Sequence, residues 1–327
     1  MRKFINGRMI NLVEPRLGSK VIFKTDDFFA AASRIINSNP PIFKEGVFDK
    51  HGKWMDGWET RRKRTKGNDF LILKLGKPGV ISKVDIDTSY FSGNHPNHVS
   101  LQACSSNKTI PNKKTKWVTI IKKSRTKANS HHFFKIKNKS FFTHVKLNIF
   151  PDGGVARIRI YGSMKTKKKI NKKLFNLTSV LNGAVPIACN NEHFGRAENI
   201  LAPGIGKNMG DGWETRRSRG KNFDWIIIKC GETGKINKIQ IDTHHFKGNY
   251  PDKCSVQAAC INNKISEKNI VKKSKRWGFL LNKVKLNAHK KHNFKNKLKK
   301  NKKVNYIRIN IFPDGGISRI RFFGKVD

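Results

Sequence analysis

The chain has 327 residues, with 69 Lys and Arg against 22 Asp and Glu, and a formal charge of +47. At about 100–200 residues per domain, the length predicts two domains, and an aromatic content of 10% excludes a chain too poor in large apolar groups to fold. No apolar run approaches the roughly 18–20 residues of a membrane helix, and the opening Met1-Arg2-Lys3-Phe4-Ile5-Asn6-Gly7 lacks the apolar stretch of a secretory leader, so a cytoplasmic protein with no membrane partner is expected.

Taken in chain order, the elements read mostly as strands. Asp27-Phe28-Phe29, echoed later by Glu192-His193-Phe194, starts the first unit, and Phe28–Ile36 has room for a short helix. Met55-Asp56-Gly57-Trp58-Glu59-Thr60-Arg61-Arg62-Lys63-Arg64 follows. Phe70-Leu71-Ile72-Leu73 is a short apolar run, as in a buried strand. Val84-Asp85-Ile86-Asp87 alternates, which puts the two apolar residues on one face and the two acids on the other. Val99–Gln102 and Arg157–Ile160 alternate in the same way, the second with Ile inward and Arg outward. Pro151-Asp152-Gly153-Gly154 between them is a turn signature.

The whole set then returns. Asp56–Arg64 recurs as Asp211–Arg219 with eight of nine residues unchanged, and Ile86–Pro96 recurs at the same offset of 155 as Ile241–Pro251. The offset widens to 162 where Asn148–Gly154 meets Asn310–Gly316, so the insertions lie in Lys-rich loops. Self-similarity of this kind marks two copies of one unit. The expected division is a first repeat over 1–164, a Lys-rich linker over 165–173 and a second repeat over 174–327. Many short strands without long helical stripes predict an all-β fold, a tandem of two jelly-roll, galactose-binding-like β-sandwiches.

A charge of +47 would attract any polyanion. Yet 51 Lys and 32 Asn make up about a quarter of the chain, and much of the Lys lies in patternless stretches such as 290–303. Lys, Asn, Ile and Phe have A/T-rich codons, and no zinc finger, RNP motif or basic helix is present. A specific nucleic-acid partner is therefore not expected. The five cysteines form no CxxC pair and read as reduced thiols.

Against the Lys background, ten of the 18 Arg sit in repeated motifs. A planar guanidinium can grip a carboxylate through two parallel bonds, which a Lys ammonium cannot copy. Arg61, Arg62, Arg216 and Arg217 are thus candidate anion ligands, against the alternative of an Arg–acid lattice binding loops to the sandwich. Glu59 and Glu214, beside those arginines, are candidate general acids or bases. The competing reading is a turn held by Asp56 and a Glu–Arg pair. Trp58 and Trp213 read as core or loop anchors. His244 and His245 stand where the first repeat has Ser89-Tyr90, and imidazole can shuttle protons or bind a metal. Asp87, Asp242, Asn94 and Asn249 are candidate polar ligands.

The Met55–Arg64 and Ile241–Pro251 segments, together with both Ile-Phe-Pro-Asp-Gly-Gly segments, resemble the allantoicase (allantoate amidinohydrolase) family, over about residues 11 to 324. The resemblance implies two jelly-roll-like domains, a homo-oligomer, and hydrolysis of allantoate to ureidoglycolate and urea in purine and allantoin degradation. The chemistry of the candidate side chains then suggests roles for them toward that substrate. Glu59, Glu214, His244 and His245 would transfer protons. Arg61, Arg62, Arg216 and Arg217 would hold the substrate carboxylate. Asp87, Asp242, Asn94 and Asn249 would read its ureido arms. A divalent metal such as Mn²⁺ on Asp and His is conceivable, though nothing in the sequence requires one. A non-catalytic tandem sandwich that binds a carbohydrate or other ligand is the alternative.

Overall fold

A computed structural model describes residues 2–3, 9–112, 114–164, 174–220, 222–263, 265–300 and 302–326. The expected linker over 165–173 lies outside the described residues. The chain divides into two compact units, one built on Met9–Lys165 and one on Thr166–Asp327, and the strand Arg2–Lys3 belongs with the second, pairing antiparallel with Val185–Cys189.

The first unit is organised by one long strand, Asp69–Asp87. The sequence reads as two strands here, Phe70–Leu73 and Val84–Asp87, and the structure joins them. Nineteen residues at about 3.3 Å each would outrun a sandwich if straight. The strand instead changes partners midway. Its first half pairs with Lys20–Lys24 and Phe141–Phe150, its second half with His131–Lys135 and Arg157–Met164. Gly76 and Gly79 sit at the change, where a Cβ on Gly76 would come within 2.6 Å of the Leu17 side chain. His98–Cys104 and Val118–Arg125 extend the sheet beyond Phe141–Phe150.

Alternation fills the space between the layers. Leu71 and Leu73 from the first half of the long strand are fully buried with Val145, Leu147, Val99 and Leu101. Val84 and Ile86 from the second half join the same core with Ile158 and Ile160. Burying each such side chain contributes roughly 1.5–3 kcal/mol. Trp58 is also fully buried there, and its indole N–H donates to the Asp26 carbonyl at 2.8 Å.

The second unit repeats this plan. Asp224–Asp242 is the long strand, paired with Val185–Cys189 and Val304–Phe312 in one half, and with Lys291–Phe294 and Arg319–Val326 in the other. Trp213 takes the place of Trp58, donating to the Asn191 carbonyl at 2.7 Å. Its core is a separate cluster built on Ile226, Ile228, Ile239, Ile241, Ile309 and Ile320. One eight-residue α-helix, Glu267–Ser274, interrupts the β structure. The expected short helix after Phe28 is a 3₁₀ turn over Ala32–Ile36.

The alternation in Arg157–Ile160 has the right phase, but the arginines do not face solvent. Arg157 is 1% exposed. The chain over residues 37–56 covers that face, and Arg157 bonds to the Asn39 carbonyl at 3.0 Å and to both the carbonyl and carboxylate of Asp56, at 2.7 and 2.6 Å. Arg319 and Asp211 form the equivalent pair at 2.7 Å. These arginines are the loop-binding lattice that the sequence offered as one alternative.

Candidate active site

Each repeat places its motif at a cleft by the same three devices. The two-residue strand Trp58–Glu59 pairs with Gly154–Val155 and bridges to Ala30, so Glu59 is held by backbone bonds on both sides. The Pro-Asp-Gly-Gly turn follows a cis Phe150–Pro151 peptide, with Gly153 at φ +132°. A Cβ on Gly154 would overlap the fully buried Phe91 ring, so only glycine lets the turn close over it. Phe91 in turn anchors the loop of Asn94. Gly154 N donates to the Asn94 carbonyl at 2.7 Å. Asp152 takes the Lys63 backbone N–H at 2.6 Å, and Thr60 exchanges bonds with Gly153, which binds the Arg segment to the turn.

The first cleft has a volume of about 960 Å³. Glu59, Arg61, Arg62, Lys63, Arg64, Asn94, His95, Asn97 and Asp152 line it. Glu59 is only 9% exposed, and its carboxylate accepts from Asn94 Nδ2 at 2.6 Å. Burial pushes its carboxyl above the usual carboxylate range, and the Asn94 bond offsets part of that rise. Arg61 is not a free anion ligand. Asp26 takes its backbone N–H at 2.6 Å and its guanidinium at 2.9 and 3.1 Å, and Arg61 also lies over the Phe28 ring. Lys63 is held at 2.9 Å by Asp69. Among the described residues, Arg62 and Arg64 have no carboxylate partner, so they are the cations free to meet a ligand.

The second cleft, about 660 Å³, is lined by Glu214, Arg217, Ser218, Asn249, Tyr250, Asp252 and Asp314. Glu214 and Asn249 are hydrogen-bonded as Glu59 and Asn94 are, and Asp314 takes the Ser218 N–H at 2.6 Å. Several exchanges separate the clefts. Asn191 replaces Asp26 and takes only the backbone N–H of Arg216, at 3.3 Å. Ser218 replaces Lys63, so Asp224 lacks the ammonium that Asp69 has. Burial, with the nearby Asp314 carboxylate adding to it, pushes Asp224 up. Tyr250 replaces His95.

The structure therefore brings Glu59, Arg61, Arg62 and Asn94 together, and separately Glu214, Arg217 and Asn249. It does not bring the other candidates to either cleft. Arg216 is exposed outside the lining of the second. Asp87 and Asp242 are buried at the ends of the long strands, where they take the N–H of Ser89 at 2.8 Å and of His244 at 2.9 Å. His244 packs between His245 and His289, with ring centroids 4.2 and 4.1 Å away, and His245 Nε2 donates to the Gly206 carbonyl at 2.9 Å. Among the described residues, no group of three or more His, Cys, Asp or Glu is arranged to hold a metal ion.

Sequence reasoning missed His95, which occupies the variable place in Gly-Asn-x-Pro. Among the described residues, its buried Nδ1 has no hydrogen-bond partner. The signal was a difference between repeats, histidine in one and tyrosine in the other, at a position flanked by matching residues.

Comparison with known proteins agrees with this repeat architecture. The allantoicase repeat model matches residues 10–165 and again 175–327. A probable allantoicase of Pseudomonas fluorescens is 47% identical over 98% of this chain and 97% of its own, and one of Photobacterium profundum is 46% identical over 99% of each. The crystal structure of allantoicase from Saccharomyces cerevisiae superposes with a TM-score of 0.83 at 34% identity, covering 97% of this chain and 93% of that one. On matched repeats, full-length identity and shared fold, this chain belongs to the allantoicase family.

Proposed function

We propose that the protein hydrolyses allantoate to ureidoglycolate and urea, a step of allantoin degradation, and that a Glu–Asn–Arg cleft recognises the substrate. The observation that carries this reading is a buried, hydrogen-bonded Glu59 in the same cleft as an Arg62 with no carboxylate partner among the described residues. Allantoate has one carboxylate and two ureido arms on a single carbon. Arg62 would take the carboxylate as a fork, and Asn94 would help to read a ureido arm.

Glu59 suits the role of general acid because burial favours its protonated form. Its proton passes to the departing ureido nitrogen, the C–N bond breaks with its electron pair moving to nitrogen, and neutral urea leaves. Water adds its oxygen to the central carbon and gives up a proton, which leaves a hydroxyl in place of the ureido arm. Arg217, Glu214 and Asn249 reproduce the binding set in the second repeat. The carbohydrate-binding alternative is not favoured, because the full-length relatives and the matching solved structure are allantoicases. Five cysteines with no CxxC pair fit a reducing, cytoplasmic compartment, and exposed Ile42 and Phe48 offer an apolar surface for a homo-oligomer.

Arg62 provides the test. Hydrogen bonds to a charged group contribute about 1.5–3 kcal/mol, so Arg62→Gln is expected to raise KM for allantoate roughly ten- to hundredfold. Arg62→Lys keeps the charge, loses the fork and should fall between. An unchanged KM in a folded Arg62→Gln protein would remove Arg62 from the site.

A further inference from the structure

The two clefts descend from one motif, yet their linings differ in charge. In the first, the Asp26–Arg61 and Asp69–Lys63 pairs leave Arg62 and Arg64 against Glu59 and Asp152. In the second, Arg217 stands against Glu214 and Asp314, with Asp252 paired to Lys253 at 3.1 Å. Asp252 occupies the place of Asn97, and Ser218 that of Lys63, so the second cleft has both lost a cation and gained an acid. A carboxylate ligand meets two uncommitted guanidinium groups in the first cleft and one in the second, so it is drawn more strongly to the first.

The proton inventory differs too. A C–N hydrolysis of this kind needs a group to take a proton from water as well as one to give a proton to the leaving nitrogen. His95 lines the first cleft with Glu59. Its Nδ1 is buried and, among the described residues, has no hydrogen-bond partner, so Nε2 is the ring nitrogen left to meet water in the cleft. Tyr250 in the second cleft offers a phenol, a poor acceptor from water.

We propose that the first-repeat cleft alone turns over the anionic substrate, and that His95 is a catalytic residue there, taking the proton of the attacking water while Glu59 protonates the departing urea. The water oxygen bonds to the central carbon as the C–N bond breaks. The proton taken by His95 returns to Glu59 through solvent, which balances the cycle without any further reactant. This assignment rests on the allantoate reading and adds which cleft acts and with what base.

The test uses the full-length protein and urea release from allantoate. Wild-type turnover comes first, and its absence would overturn the substrate reading and this one together. With an active wild type, Glu59→Gln and His95→Asn are each expected to fall below about 1% of wild-type kcat, although the second cleft is untouched. His95→Asn should leave KM within about threefold, because asparagine still fills the wall without accepting a proton. Thermal melts by circular dichroism establish that each variant is folded, and His95→Asn decides alone if Glu59→Gln is not. Calorimetric titration of Glu59→Gln with allantoate is expected to give one site per chain. Retention of about half the activity, or two equal sites per chain, would overturn the division while leaving the allantoate reading intact.

Discussion

Glu59 illustrates how one residue can be a structural burden and a chemical asset. It sits 9% exposed with one side-chain hydrogen bond, from Asn94, and burial raises its carboxyl pKa. A carboxyl whose folded pKa lies above its unfolded value contributes its full stability below the unfolded value, and loses it as pH rises through the folded one. Ionised Glu59 therefore destabilises the fold at neutral pH. Glu59→Gln, which cannot ionise, is expected to melt at a higher temperature than wild type at pH 7, with the gap closing at pH 4. A variant that melts lower at pH 7 would show that the carboxylate is satisfied and not strained. Glu59, Arg62 and Asn94 were legible in the sequence because each recurs at a fixed offset in a chain otherwise given over to Lys and Asn. Asp87 and Asp242 recur just as faithfully but hold turns, and repetition cannot separate a ligand from a turn. His95 occurs once, so the same comparison passed over it. His244 and His245 stood out by contrast with Ser89 and Tyr90, and they pack with His289 away from the cleft.

The element that sets the site is the glycine-rich turn closing over Phe91. Gly154 donates to the Asn94 carbonyl, and Asn94 donates to Glu59, so turn, ring and acid form one chain of contacts. Gly154→Ala would drive a methyl into the Phe91 ring. Such overpacking is expected to cost about 1–3 kcal/mol and to displace Asn94, lowering kcat/KM as well as the melting temperature. Urea denaturation and steady-state kinetics on the same variant would check both, and an unchanged midpoint would show that Phe91 has room to move. The turn was readable from Pro-Asp-Gly-Gly. The reason for the second glycine was not, because it depends on a ring some sixty residues earlier in the chain. Likewise the apolar run at Phe70–Leu73 and the period-2 pattern at Val84–Asp87 located two strands but did not join them. Gly76-Lys77-Pro78-Gly79 looks like a turn, and only the partners on either side carry the strand through it. The phase of Arg157–Ile160 was also correct, yet alternation says which side chains share a face and not what covers that face.

Across the molecule, each repeat closes its own apolar core, and none of the clustered core residues is shared. Two independent cores leave each cleft free to change without unfolding the other, which is how one motif can come to have two charge patterns. The net charge of +47 was a poor guide to function, because most of it is dispersed Lys. The cations that the proposed site would use are few: among the described residues, the Asp26–Arg61 and Asp69–Lys63 pairs leave Arg62 and Arg64 without a carboxylate partner. The account as a whole is tested most directly by following the products of the purified wild-type protein acting on allantoate. It predicts one urea and one ureidoglycolate for each allantoate consumed. No urea above the uncatalysed background, or ammonia released in its place, would contradict it.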